Sequence, residues 1–383
     1  MNLNLGEIDA AAFLSEYWQK KPCLIRQAIP GFSSFISKAE LFALSCNDNV
    51  ESRLVIERDG EYPWQVLHGP FSPEALENLP ASHWSLLIQN MECHRDEAAA
   101  VLARFNFIPN WRIDDLMISV APVEGSVGPH LDSYDVFLLQ AEGQRRWQIN
   151  SDDYNENDFI PGLDLRILER FQPRKEWILA PGDMLYLPPG VAHYGVALDD
   201  CQTFSIGLRA PSTHELMNHY LEEVISTTSD DYYVDPDIRL QRHPGEITNE
   251  ALDRISSMML ASLPHTATMQ TWFGKYITRL PDQFRFEAPT HTFLPDNFIT
   301  FFRDVKTLYR HRACKTAYIQ NEKKYSLFIN GDAYELPMTC ADFIYQFTEN
   351  KFIDFATCKQ LETESSLRDL ICVLYNRGIL YKT

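Results

Sequence analysis

Gly128-Pro129-His130-Leu131-Asp132-Ser133-Tyr134-Asp135 sets an imidazole and a carboxylate two positions apart. On an extended strand, residues i and i+2 lie on one face. His130 and Asp132 can then address a single ion from inside a β structure. On a helix the same spacing would turn them apart, so the architecture hangs on how this stretch is read. Gly128-Pro129 before it and the apolar run Val136-Phe137-Leu138-Leu139 after it favour a strand. A second imidazole follows 63 positions later, in Pro181-Gly182-Asp183-Met184-Leu185-Tyr186-Leu187-Pro188-Pro189-Gly190-Val191-Ala192-His193. The Pro-Pro-Gly turn can aim His193 inward, and the gap leaves room for intervening strands. Two His and one carboxylate on one face of Fe(II) leave three positions open for a co-substrate and O2.

The pair alone is weak, because the chain contains it twice. His94-Arg95-Asp96 opens a helical stretch over 91–110, where i and i+2 face different sides, and reads as a solvated surface pair. His68, His83, His214, His219, His243, His265, His291 and His311 show no ligand spacing and read as surface or structural.

Working outward, strands are expected at Asp115–Val120, Asp135–Gln140, Arg146–Ile149, Glu176–Leu179, Met184–Leu187, Tyr194–Ala197 and Thr203–Leu208, with residues 150–175 a polar excursion between them. Many short strands at close spacing predict a barrel or jelly roll of the cupin kind. Upstream, helices are expected near Ala11–Trp18 and Phe35–Leu44. Short strands are expected at Cys23–Arg26, Leu54–Arg58, Trp64–His68 and Trp84–Asn90, with a turn at Asp59-Gly60. After Pro211 the pattern becomes helical, opened by the capping box Ser212-Thr213-His214-Glu215, with helices to about 226 and at 248–262 and 268–279. Pro281, Pro289 and Pro295 mark a linker. Beyond it, Asn330-Gly331 predicts a type I′ hairpin, followed by helices at 339–348 and 364–376 and a terminal strand. The expected division is a catalytic domain over 1–211, a helical region over 212–280, a linker over 281–297 and an α+β domain over 298–383.

Composition narrows the class. The chain has 383 residues, 45% hydrophobic, without an 18-residue apolar run, so no membrane span is expected. The first residues lack a basic and an apolar region, which makes the cytoplasm the expectation. The eight Cys form no C-x-x-C pair, against both a zinc ribbon and a disulfide framework. A net charge of −19 repels nucleic-acid phosphates and suits a basic polypeptide partner.

Trp18-Gln19-Lys20-Lys21-Pro22, the His130-x-Asp132 stretch and 181–193 resemble the JmjC-type 2-oxoglutarate oxygenases. Trp111-Arg112-Ile113-Asp114-Asp115-Leu116-Met117-Ile118-Ser119, Tyr134-Asp135-Val136-Phe137 and Arg209-Ala210-Pro211 resemble more closely the bacterial ribosomal-protein arginine hydroxylases that act on large-subunit protein sixteen. The resemblance is strongest over 111–211. It implies a double-stranded β-helix, helical homodimerisation through 212–280 and a C-terminal winged-helix-like domain. It implies Fe(II) held by His130, Asp132 and His193, and O2 and 2-oxoglutarate consumed to give succinate and CO2 as a protein side chain is hydroxylated. Arg145 matches the arginine that holds the far carboxylate of 2-oxoglutarate, and Ser119 a residue that hydrogen-bonds it. A fork-shaped guanidinium suits that carboxylate. Asp114, Asp115 and Asp135, with Tyr134 as a wall, are the candidates for a cationic substrate side chain, although such residues also serve turns and caps. Three alternatives stay open: hydroxylation of a histidyl or other residue of another basic protein, a non-enzymatic metal-binding cupin module, and a winged-helix regulator. The last finds only a mildly basic segment around Lys306, Arg310, Arg312, Lys315 and Lys323-Lys324, which argues against nucleic acid.

Overall fold

The computed structural model describes residues 5, 8–58, 64–163, 165–261, 266–281 and 284–382. The Asp59-Gly60 turn, His265 and nearly all of the N-terminal heptapeptide lie outside the described residues. Two compact units form. One comprises 1–210, 281–314 and 372–383, the other 211–280 and 315–371.

In the first unit the strands are β1 (Cys23–Ile25), β2 (Ser52–Glu57), β3 (Trp64–His68), β4 (Trp84–Ile88), β5 (Ile113–Ala121), β6 (Val136–Glu142), β7 (Arg145–Asn150), β8 (Lys175–Leu179), β9 (Met184–Leu187), β10 (Ala192–Ala197) and β11 (Cys201–Leu208). Among the described residues, eight form a sheet in the order β1-β9-β6-β11-β5-β4-β2-β3, and three form a smaller sheet, β10-β7-β8. Every pairing along these strands is antiparallel. All seven strands expected over 111–209 are present, most of them longer by one or two residues.

Alternation along each strand builds the two-sheet core. Val136 and Leu138 of β6 and Leu185 and Leu187 of β9 pack against Trp147 and Ile149 of β7 and Leu179 of β8, joining the sheets into a double-stranded β-helix. The opposite face of the large sheet, with Leu116, Ile118, Val120, Phe137, Leu139 and Tyr186, packs against Phe13 of α1 (Ala10–Glu16), Leu41 of α2 (Lys38–Ser45) and Ala98 and Val101 of α4 (Asp96–Leu102). A short helix that the sequence reading missed, α3 (Pro73–Glu77), opens with Pro at its first turn behind Ser72 as the cap. The 91–110 stretch is broken into α4 and short 3-10 turns.

The second unit contains α5 (Thr213–Thr227), α6 (Asn249–Ala261) and α7 (Thr266–Ile277). The capping box at Ser212 and Glu215 is present. Tyr220 of α5 meets Trp272 of α7 edge-on at 4.9 Å, and Trp272 stacks on Tyr276 at 5.3 Å. The predicted hairpin joins Lys324–Ile329 to Asp332–Pro337, with Asn330 and Gly331 both at positive φ, as a type I′ turn demands. Gly274 is required on α7, since a Cβ there would lie 2.4 Å from the Phe328 ring. In the first unit, residues read as linker instead begin a helix, Pro295–Val305, and the following strand Thr307–Arg310 pairs with Leu380–Tyr381. No helix among the described residues is long and apolar enough to cross a membrane.

Candidate metal centre

His130 and His193 are brought together by backbone pairing. The His130 N–H donates to the His193 carbonyl at 3.0 Å, and the His193 N–H donates back at 2.8 Å. The ring centroids lie 4.2 Å apart. Asp132 completes the cluster, its Oδ2 3.6 Å from His193 Nε2, and one ligand atom from each of the three residues lies within 4.8 Å of the others. Each ring is fixed by its own chain. Nδ1 of His130 lies 2.9 Å from the Gly128 carbonyl, and Nδ1 of His193 lies 3.0 Å from the Val191 carbonyl. A carbonyl only accepts, so each Nδ1 carries the proton and each Nε2 presents a lone pair. Burial first, then the neighbouring His130, pushes the His193 imidazole down to about 4, so it is neutral and ready to ligate at neutral pH. The donor set fits a divalent transition metal with open positions.

The excursion at 150–175 reaches this centre too. Ile167 forms an isolated bridge with His130, and the Leu168 N–H donates to the Pro129 carbonyl at 2.7 Å. Gly128, at φ +82°, is needed here, since a Cβ would press 2.9 Å from Ile167. Ile160, Leu163 and Leu165 pack with Ile167 against Trp64, Leu87 and Met117. These apolar residues, embedded in a polar stretch, were the signal that sequence reading passed over.

Arg145 opens β7 and is 2% exposed. Among the described residues its Nη atoms find only the Gly195 carbonyl and Cys201 Sγ, each at 3.5 Å, and its buried Nε finds no hydrogen-bond partner. No carboxylate among the described residues pairs with it. A buried guanidinium left this way carries a large desolvation cost and calls for an anion. Alternation puts Arg145 on the inward face shared with Trp147, and Gly195 on the same strand as His193, so the waiting anion would lie within the barrel that carries the triad. The residues therefore fit a dicarboxylate held at one end by metal and at the other by Arg145. Ser119 is buried on β5, its Oγ donating to the Thr203 carbonyl at 3.3 Å, and that bond already satisfies its proton.

The four substrate candidates separate. Asp115 shares the inward parity of β5 with Met117 and Ser119, and one of its oxygens accepts from the Asn90 N–H at 3.0 Å. Asp114 has the opposite parity and pairs with Arg209 at 3.5 Å. Tyr134 is 42% exposed, and its phenol is pushed up by the Asp132 carboxylate first, then by burial and by Asp115. Asp135 is corrected by the structure. It is 0% exposed, with Oδ1 accepting from the Tyr186 phenol at 2.6 Å and Oδ2 from Gln19 Nε2 at 2.9 Å and Arg112 Nη2 at 3.3 Å. Its carboxylate points into the wall behind β6, on the face with Phe137 and Tyr186 that packs against α1. Of the second His-x-Asp, expected as a solvated surface pair, Asp96 is exposed and ion-paired to Arg312 at 3.2 Å, whereas His94 is half-buried, its imidazole pushed down by burial first and then by Arg312 and Arg95.

Residues 100–216 match the JmjC domain family, and residues 259–381 match the ROXA-like winged helix. The ribosomal protein uL16 3-hydroxylase of Escherichia coli strain K12 is 34% identical over 326 residues, 85% of each chain. The chain belongs to the JmjC ribosomal oxygenases. A probable ribosomal oxygenase of Haemophilus influenzae is 31% identical over 370 residues, 92% of this chain and 89% of that one. The X-ray structure of E. coli YcfD superposes on this chain with a TM-score of 0.86 at 31% identity, covering all of both chains. A YcfD structure in complex with cobalt and 2-oxoglutarate superposes with a TM-score of 0.81 over 99% of each chain. The expected fold class, a JmjC core followed by a winged helix, is that of the family.

Proposed function

We propose that the protein is an Fe(II)- and 2-oxoglutarate-dependent dioxygenase that hydroxylates an arginyl side chain of the large-subunit ribosomal protein uL16, with succinate and CO2 as co-products. The observation that carries the co-substrate is Arg145, a buried guanidinium lacking an anion in the barrel that holds an open His-Asp-His cluster. The relatives named for ribosomal-protein hydroxylation support the substrate, as does the net charge of −19, which draws in basic proteins.

Iron at this centre would supply O2 activation and the power to oxidise an unactivated C–H bond. The chain's own residues do the rest. His130, Asp132 and His193 would hold the metal on one face, with both rings locked by backbone carbonyls. Arg145 would fix the distal carboxylate, and Ser119 would lie alongside the co-substrate. Asp115 and Tyr134 would meet the cationic side chain at the mouth, where the carboxylate and the phenol oxygen accept from its N–H groups while the phenol's own proton is given to Asp132. The apolar wall of Ile160, Leu163, Leu165 and Met117 would exclude water from one side.

We also propose a catalytic domain over 1–211, a helical region over 212–280, a linker from 281 that ends where the helix at Pro295 begins, an α+β domain from there to 383, a cytoplasmic setting and a homodimer through 212–280. In support, α6 has none of its thirteen residues buried and exposes Leu252, Ile255, Met259 and Leu260, a face that a second copy would cover.

The test is incubation of the Fe(II)-reconstituted protein with 2-oxoglutarate and purified uL16. Succinate dependent on uL16, with one oxygen added to an arginyl peptide, is expected. Oxygen added to a histidyl peptide of another ribosomal protein would replace the substrate. Metal binding without turnover on any ribosomal protein would leave the non-enzymatic cupin reading.

A further inference from the structure

The Trp18-Gln19 step lies far from the metal centre in sequence and has no part in the chemistry above. Its side chains nevertheless converge on one carboxylate. Gln19 is exposed as a residue, yet its amide reaches inward to Asp135 Oδ2 at 2.9 Å. Its own N–H donates to the Tyr186 phenol oxygen at 2.8 Å, and that phenol donates to Asp135 Oδ1 at 2.6 Å. The Trp18 ring lies 6.0 Å from the Tyr186 ring, nearly parallel to it, while the Arg112 guanidinium sits over Trp18 at 5.3 Å and reaches Asp135 at 3.3 Å. Gln19 holds φ at +55°, a left-handed conformation that is unfavourable for a non-glycine residue. The chain accepts that strain where it delivers the amide and N–H to this hub.

The position of Asp135 gives the hub its reach. The segment 131–134 carries the ligand Asp132 and the exposed Tyr134, and it is tied at both ends. At one end His130 is bridged to His193. At the other, Asp135 is fixed by three side chains and by its carbonyl, which accepts from the Leu208 N–H at 3.0 Å. In between, the main tie is the Asp132 carbonyl, which accepts from the Gly190 N–H at 2.8 Å. Three residues span at most about 10 Å, so a shift at Asp135 passes to Asp132 with little slack. A fully buried carboxylate is tolerated only when paired and hydrogen-bonded, so the three donors hold Asp135 where it is.

We infer that Gln19 and Asp135 are positioning residues for the metal centre, holding the far end of the 131–134 segment so that Asp132 faces the two imidazoles. This rests on the reading of His130, Asp132 and His193 as metal ligands. The experiment titrates the full-length apo protein with Co(II), read by visible absorption at a temperature where every variant is folded, and melts each variant in parallel. Gln19→Met removes the amide at an exposed position and keeps the volume. Asp135→Asn keeps the shape and removes the charge. Asp183→Asn is the control: it removes a buried carboxylate bound by Arg26 and Gln27, away from the segment.

The expected result is Co(II) binding about three- to tenfold weaker for the two hub variants, within or below the usual effect of a residue supporting a ligand, and wild-type affinity for Asp183→Asn despite its lower melting temperature. Unchanged Co(II) affinity and spectrum in both hub variants would overturn the inference. So would equal weakening in Asp183→Asn, because general destabilisation would then account for the effect. Wild-type protein that binds no Co(II) would instead remove the metal centre itself, and the inference with it.

Discussion

Replacing Arg145 with Met should move two properties in opposite directions. In the protein without co-substrate, the guanidinium is 2% exposed, its Nε is unpaired, and its two other contacts are at the 3.5 Å limit. The Trp147 ring, 5.7 Å from Cζ, compensates for little of the charge. Exchanging such a poorly satisfied charge for an apolar side chain of similar length should stabilise the apo protein by about 1–2 kcal/mol, raising the melting temperature by about 3–6 °C for a unit of this size. With a dicarboxylate bound, the balance reverses. The distal carboxylate would be buried without its cation, at a cost of about 3–4 kcal/mol, or a dissociation constant roughly 10²–10³-fold higher. The assay is thermal melting with and without 2-oxoglutarate in the presence of Co(II). Ligand at one hundred times its wild-type dissociation constant adds about 2.7 kcal/mol of stability to the wild type and almost none to the variant. A variant that melts lower than wild type when apo, or that keeps the wild-type ligand shift, would refute the reasoning.

Three further outcomes follow from the geometry. The apo protein should lose stability as pH falls from about 6.5 toward 4: His193 and His311 are each pushed by burial to about 4 in the fold, the unfolded chain takes up protons at the ordinary value of 6.5, and in that window the unfolded state binds more protons. Urea midpoints at pH 7 and pH 5 measure this, and equal midpoints would count against it. Asp183→Asn should cost about 2 kcal/mol, because the carboxylate accepts from Arg26 at 2.6 Å, the Gln27 N–H at 3.0 Å and the Ala180 N–H at 3.1 Å, ties that hold β1 to the turn before β9; an unchanged melting temperature would refute it. Ile255→Asp, at a residue 44% exposed on α6, should convert dimer to monomer in light scattering without lowering succinate formation, whereas a monomeric wild type would remove the dimer proposal.

The strands around the metal centre were legible because their signals are local: period-two alternation, Gly and Pro at the turns, and a His-x-Asp whose strand setting could be told from its helical twin at His94. The prolines misled once. Pro281, Pro289 and Pro295 together suggest a linker, yet Pro295 sits in the first turn of a helix, where its missing N–H costs nothing. The amphipathic run Phe298-Ile299-Thr300-Phe301-Phe302 just after it carries the helical period. The contact of Ile167 with His130 was not legible, since no local pattern says where a long excursion will fold back.

Strand parity alone separates Asp135 from Tyr134. Tyr134 and Asp135 are neighbours in sequence, as are Asp114 and Asp115, and composition alone makes all four candidates for a cationic side chain. Each pair enters a strand, and adjacent strand residues point to opposite faces. If Tyr134 faces the mouth, Asp135 must face the wall, and the parity that puts Ser119 and Met117 inside admits Asp115 and excludes Asp114. The apolar run after Asp135 strengthens the point, because a carboxylate entering a wall of Phe137, Leu139 and Tyr186 has to bring its own donors. Those donors, Gln19, Arg112 and Tyr186, come from three distant parts of the chain. Sequence could have shown that Asp135 needs partners, and only the fold could name them.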